Sequence, residues 1–316
     1  MTSIIGHASI LHFFESAAKN GRLSHAYCCV GPKRVGKRAV VEYFSSQWLG
    51  VLSTHLSVSP DFFLVAREND EKTGKMKKDI SIEQIHRVRG FFSQRSFAGG
   101  YRIAVIDGAE HLSRSAANAL LKTLEEPRDR AVLFVMTDDD ARLPSTILSR
   151  CQHIHFFPVH HDTIASGLAD RGCETPFAEE VARFSRGLPG LAISWIQDDA
   201  AYQAFLNEIA RFQSLIGARF HDKLKTIEDF FGSPDDHIAT RDGLGHILHL
   251  WSFFARDLIM AAINMEERMI HRFTCAAPAS LSHLLSLEET IQHSKDLLQK
   301  NVHPRLLFEH ILLRIP

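Results

Sequence analysis

Cysteine is scarce, and where it is missing matters as much as how little there is. The 316 residues hold five, Cys28, Cys29, Cys151, Cys173 and Cys275, with no C-x-x-C pair and none between Cys29 and Cys151. A structural zinc site needs thiolates or imidazoles at short paired spacings, so no zinc and no other metal is expected. The nineteen histidines are scattered and are expected on the surface and in packing. A net charge of -1 excludes a bulk electrostatic drive toward nucleic acid or anionic membrane, although a local basic patch stays open. No run of about 18 apolar residues suggests a membrane span. No charged start followed by an apolar core opens the chain, and with few, odd-numbered cysteines the expected compartment is a reducing cytoplasm. The rest is ordinary for globular protein: 45% hydrophobic and 23% charged residues, in a chain long enough for two or three domains.

The densest pattern lies between residues 101 and 151. Ile103 to Ile106 is an apolar run too short for a helix, so a buried strand is expected, with Asp107 directly after it. Ala116, Ala117, Leu120, Leu121 and Leu124 fall at helical spacing, with Ser113 as cap and Pro127 as stop. Val132 to Met136 reads as a second buried strand with Thr137 and Asp138 at its carboxyl end, where parallel α/β sheets bind ligands. Asp107, the polar turn and Arg150 are therefore expected on or near one rim.

Earlier in the chain, Ile10 to Ala18 has a helical pattern ended at Gly21, and Ala26 to Val30 reads as a buried strand. Gly31-Pro-Lys-Arg-Val-Gly36-Lys37 follows, then a helix with Val40, Val41, Phe44 and Trp48 inward. A G-x-x-x-x-G-K turn between strand and helix is the context of a phosphate-binding loop. Its glycines let backbone N–H groups approach phosphates, and the helix dipole assists. The next residue is Arg38, where a working loop carries a Ser or Thr hydroxyl for Mg²⁺. Residues 49 to 60 read as irregular. The charged run 67 to 79 reads as a solvated hairpin or loop, with a phosphate contact through Lys72, Lys75, Lys77 and Lys78 as the other reading. Ser81 and Gln84 form a capping-box pattern. Strand–helix alternation to residue 157 gives a five-stranded, mostly parallel sheet with helices on both faces. Beyond it the pattern is helical, broken at Gly172, Pro176 and Gly187-Leu-Pro-Gly190 and lengthening after residue 200. The last helix is expected to start at Pro304, and the aromatic stripe of Phe205, Phe212, Trp251, Phe253 and Phe254 is read as core.

The stretches RLSHAYCCVGPKRVGK, IAVIDGAEHLSRSAANALLKTLEEP, LPSTILSRC and SRGLPGLA resemble the delta-prime type of bacterial DNA polymerase III clamp-loader subunit, within the AAA+ superfamily. The resemblance implies an AAA+ P-loop α/β domain with a parallel sheet (1–157), a small helical lid (158–200) and an all-α collar for oligomerisation (201–316). It implies a place in a hetero-pentamer with gamma/tau and delta subunits. That assembly loads the sliding clamp on primed DNA in the bacterial cytoplasm, away from membrane.

It also marks departures. Hydrolysing subunits carry Asp-Glu after the third strand, where Asp107-Gly108 stands here; Glu110 is not expected to fill that role. They carry a lid arginine in a Gly-x-x-Arg pattern, where this chain has Gly190, and a Thr or Asn after the next strand, where Asp138 stands. With Arg38, these imply that Gly31, Gly36, Lys37, Arg38 and Asp107 form a degenerate nucleotide site with no cofactor. The chain then belongs to a polymerase holoenzyme without ATPase or polymerase activity of its own. Ser149-Arg150-Cys151 remains intact, and the resemblance implies that Arg150 is an arginine finger acting in trans, with Cys151 as packing. The residues alone leave open a working AAA+ ATPase, a nucleotide-sensing regulator and a DNA-binding module.

Overall fold

The computed structural model describes residues 4–70, 73–231, 237–271, 280–300 and 302–316; Lys72 and Cys275 fall outside them. The chain divides into two compact units, residues 1–194 and 195–316.

The first unit is built on five parallel strands in the order β2-β3-β4-β1-β5. They are β1 (Ala26–Val30), β2 (Phe62–Val65), β3 (Arg102–Asp107), β4 (Ala131–Thr137) and β5 (Gln152–His155). Because side chains alternate along a strand, each central strand feeds two cores. Ala26, Cys28, Ala104, Ile106, Leu133 and Val135 pack on one face with residues of α3 (Ile82–Ser93), α4 (Arg114–Glu125) and α5 (Ser145–Leu148). Tyr27, Cys29, Ile103, Val105, Val132 and Phe134 pack on the other with α1 (Ala8–Lys19) and α2 (Lys37–Leu49). Both faces are covered there, so these strands read as continuous apolar runs. Phe14 of α1 sits fully buried at the centre of the second core, edge-on to Tyr27, Trp48 and Phe134. Cys28, buried, and Cys151, half-buried, belong to the first of these cores. Burial pushes the Cys28 thiol up to about 12 and Cys151 up to about 11, so neither is a ready nucleophile.

The helix signals hold. Ser81 caps α3 in a full capping box with Gln84, and Ser113 Oγ accepts from the Ala116 N–H at the start of α4. Two expectations need correction. Residues 49 to 60 are not wholly irregular: Ser53–Val58 winds into a 3₁₀ turn that buries Leu56. Pro176 does not break a helix but lies in the first turn of α7 (Thr175–Phe184), where the missing N–H costs nothing. Likewise Pro189-Gly190 opens α8 (Pro189–Gln197), after α6 (His161–Ala169) and α7. Within the 67–79 segment an antiparallel bridge joins Asn69 and Met76, and Lys75, Lys77 and Lys78 are exposed. No strand follows β5 among the described residues.

The second unit is helical: α9 (Asp199–Leu215), α10 (Phe220–Glu228), α11 (His237–Ala262), α12 (Leu281–Gln299) and α13 (Pro304–Leu312). Its core holds Phe212, Trp251, Phe254 and Phe308 with no exposure above 0%. Of the aromatic stripe, only Phe253 is half-exposed. Trp251 donates its indole N–H to Glu208 at 2.7 Å, and Arg211 reaches the other carboxylate oxygen at 3.0 Å. The buried carboxylate therefore keeps partners on both oxygens.

One buried carboxylate ties the start of β3 to the loop before it. Asp61 accepts from the Phe97 and Ala98 N–H groups at 2.9 and 3.0 Å and from the Ser96 hydroxyl at 2.9 Å. Burial pushes its pKa up, but these donors and Arg102 outweigh burial and hold it below 3.8. A depressed carboxylate stabilises the fold above its unfolded value, and that stability is lost as pH falls through the native value. Asp61→Ala is expected to destabilise by about 3–5 kcal/mol at neutral pH. The difference from wild type should shrink below pH 3.8. Urea melts at a series of pH values measure both; a difference that does not change with pH would refute the role of its charge.

Candidate functional site

The loop after β1 turns on Gly36, whose φ of 117° suits a residue without Cβ. It delivers Lys37 to the first position of α2, buried at 8% exposure. All three ammonium donors are used within the chain. They go to the carbonyl oxygen of Gly31, to that of Pro32 at 3.1 Å and to Asp138 Oδ1 at 2.9 Å. Lys33 adds a second cation 3.7 Å from Asp138. Asp138 follows β4, which pairs with β1 through to Val30 and Thr137, so the sheet register brings this acid under the loop.

Arg38 completes the neutralisation. Its Nη1 lies 3.3 Å from Asp107 Oδ2 and its Nε 2.7 Å from Glu42. Burial raises the Asp107 pKa, while Arg38 and Lys37 oppose the rise. A guanidinium thus stands where a metal ion would have to meet Asp107. Gly108 follows with no carboxylate. Glu110 lies in the next turn with its side chain 4% exposed and His111 at 3.7 Å. Burial pushes the Glu110 carboxyl up, but the Thr137 hydroxyl and backbone N–H groups hold it below the ordinary range. It is committed to the protein interior.

The loop is also covered. His7 Nε2 lies 2.8 Å from the Val35 carbonyl oxygen, with its ring edge-on to Phe156 at 5.0 Å. Burial lowers the His7 pKa, so the ring is neutral and donates Nε2–H to that carbonyl. On another side the Gly190 N–H at the start of α8 donates to the Arg34 carbonyl at 2.8 Å. A Cβ at Gly190 would stand 2.7 Å from that oxygen, so no side chain fits there without displacing the loop. Arg34 also donates to Ser194 at 3.0 Å. Nothing in the sequence singles out His7 or Arg34. Magnesium nucleotide does not fit this set of residues: the lysine's donors are spent, the acid has an organic counter-ion, and α8 meets the loop by its backbone.

Arg150 is elsewhere. The expectation that it shares a rim with Asp107 and Asp138 is wrong. Asp107 and Thr137 end their strands, whereas Arg150 precedes β5, whose first residue Gln152 pairs with Tyr27 near the start of β1. Between parallel strands the chain must return to the starting edge, and the segment after Thr137 makes that return. Arg150 Nη2 donates to Glu125 Oε1 at the end of α4 at 2.9 Å, and Nη1 to the Thr146 carbonyl at 3.0 Å. Its side chain is 37% exposed. Ser149 donates weakly to the same carbonyl at 3.3 Å, and Cys151 packs half-buried on the α3–α4 core. Among the described residues, three metal-capable side chains converge at His160, His161 and Asp162, all exposed.

Residues 6–160 match the family model for "DNA polymerase III, delta subunit". A delta-prime subunit from Pseudomonas aeruginosa is 34% identical over 146 residues, 40% of this chain and 42% of that protein. The delta-prime subunit of Bacillus subtilis is 22% identical over 335 residues, 97% of this chain and 95% of its own length. The Bacillus subtilis tau subunit is 29% identical over 354 residues, 99% of this chain but 60% of that protein. With a five-stranded parallel sheet flanked by helices and followed in sequence by a helical unit, the chain belongs to the delta-prime family of DNA polymerase III clamp-loader subunits.

Proposed function

We propose that this chain is a non-hydrolysing subunit of a bacterial clamp loader and that it donates Arg150 to nucleotide bound on an adjacent ATPase subunit. The partners in this reading are gamma/tau and delta subunits in a hetero-pentamer. The assembly would place the sliding clamp on primed DNA in the cytoplasm. No helix among the described residues is long and apolar enough to cross a membrane.

The observation that carries this reading is the separation of two sets of charges. At the carboxyl edge of the sheet, Lys37 and Arg38 are spent on Asp138 and Asp107. At the opposite edge Arg150 is partly exposed, on an ion pair that solvent already screens. Arg150 cannot reach its own chain's loop from there, so any phosphate it serves must come from outside.

Magnitudes favour the exchange. An exposed ion pair such as Arg150–Glu125 is worth about 0–1 kcal/mol. A guanidinium placed against charge developing on a transferred phosphoryl group is worth on the order of 10³–10⁵ in rate, or about 4–7 kcal/mol. Releasing Glu125 is therefore a small cost beside the gain, and a fixed guanidinium needs no proton transfer to act.

Steady-state ATP hydrolysis tests the finger. The chain alone should show no turnover, and Arg150→Ala should lower the complete, DNA-stimulated complex by on the order of 10³ or more at sites facing this chain. A mutant complex as fast as wild type would reduce Arg150 to a surface charge. Equilibrium titration of the isolated chain with magnesium ATP tests the loop. No saturable binding is expected from wild type, and tight magnesium-dependent binding would return the chain to the nucleotide-sensing or hydrolysing class.

A further inference from the structure

The strand that follows Arg150 carries a row of planar rings on its open face. Along β5 and just beyond it, Ile154 and Phe156 are buried with the α1–α2 core. His153, His155 and Phe157 alternate with them and so point to the face that carries α4 and α5. There β5 is an edge strand. Both histidines are exposed, and Phe157 is 72% exposed. The rings form a ladder, with centroids 6.1 Å apart between His153 and His155 and 6.3 Å between His155 and Phe157. The last pair lies at an interplanar angle of 26°. The ladder is anchored at its near end: His153 Nε2 lies 3.0 Å from the Leu148 carbonyl oxygen, at the end of the helix that leads to Arg150.

We propose that this face of β5 is the docking strip for the adjacent ATPase subunit, with Phe157 as the apolar anchor and Arg150 as the catalytic tip of the same contact. The proposal rests on the trans reading of Arg150 and adds where the affinity comes from. Continuity argues for this occupant. Ladder and arginine share a face of the sheet, are separated by only Cys151 and Gln152, and are both tied to carbonyls of α5. Charge argues for it as well. The strip offers imidazole donors and a guanidinium, which suit a surface presenting a polyanionic nucleotide, and Glu125, its acid, is already paired to Arg150. Aromatic residues, Phe among them, and arginine are enriched at protein interfaces, and an exposed edge strand needs cover of some kind.

The test separates affinity from rate. The full chain, as wild type, Phe157→Ser, His155→Ala and Arg150→Ala, is titrated against its cognate tau/gamma subunit loaded with ATP. Assembly is followed by analytical ultracentrifugation, and hydrolysis is measured at saturating chain. Phe157→Ser is expected to weaken assembly by about tenfold or more with turnover at saturation unchanged, and His155→Ala to weaken it by less. Arg150→Ala is expected to do the reverse. Phe157 is exposed, so thermal melting should stay at the wild-type value; if Phe157→Ser melts early, His155→Ala decides. Assembly as tight as wild type in both ladder variants overturns the docking strip and leaves the finger standing. Unchanged turnover in Arg150→Ala overturns the finger alone. Loss of affinity for a single-stranded oligonucleotide, with assembly intact, would make the ladder a base-stacking platform and overturn the proposal.

Discussion

All five strands run in one direction, and that polarity sorts every chemical group in the first unit. Residues that end a strand, such as Asp107 and Thr137, come to one edge; residues that precede a strand, such as Arg150, come to the other. Between them lie two cores that bury both faces of the central strands. The sheet is too well packed to bend the edges together. A loop that handles phosphate and an arginine that precedes β5 therefore cannot meet within one chain. In the proposed role, Arg150 at the second edge therefore acts on a neighbour.

At the first edge the charged groups are paired with one another within the chain. A half-buried Asp107 without a cation would be costly to keep ionised. Arg38 supplies a guanidinium that no ion concentration can remove, and Glu42 holds that guanidinium from the other side. Lys37 is treated in the same way by Asp138 and two loop carbonyls. The change at Gly190 goes with these. An arginine there would need the space that the Arg34 carbonyl now occupies, and the backbone hydrogen bond between α8 and the loop needs a residue with no side chain. The departures seen in the sequence are thus one rearrangement in which the loop, the strand ends and α8 bond to one another.

The strands, most helices and their caps were legible because their causes are local. Apolar runs of strand length, Ser81 with Gln84, Ser113 before α4 and Pro304 before α13 act within a few residues of themselves. The misreadings were of two kinds. Pro176 reads as a break because a proline stops a helix or starts one according to where the turn before it ends, and the sequence carries little sign of that. The single rim was a failure of topology: Arg150 is close to Asp138 in sequence, but the return between parallel strands carries it across the sheet. The closure by His7 and Arg34 was illegible for a third reason. Each bonds to groups far along the chain, His7 to Val35 and Arg34 to Gly190, and no periodicity records such contacts.

The two edges also differ in how readily they can change. Lys37 is buried, and taking Asp138 from it would leave a desolvated ammonium, a loss of about 3–5 kcal/mol by comparison with broken buried pairs. The Arg150–Glu125 pair is exposed, and exchanging its acid for another anion costs about 1 kcal/mol or less. One edge is therefore fixed and the other exchangeable, within a single rigid sheet. A nucleotide-driven subunit needs the opposite arrangement, with its own loop open to exchange. In the proposed role this chain responds to a neighbour's nucleotide through Arg150 while its own loop stays bonded to itself, and the stiffness of the sheet holds the arginine at a fixed place for the neighbour to meet.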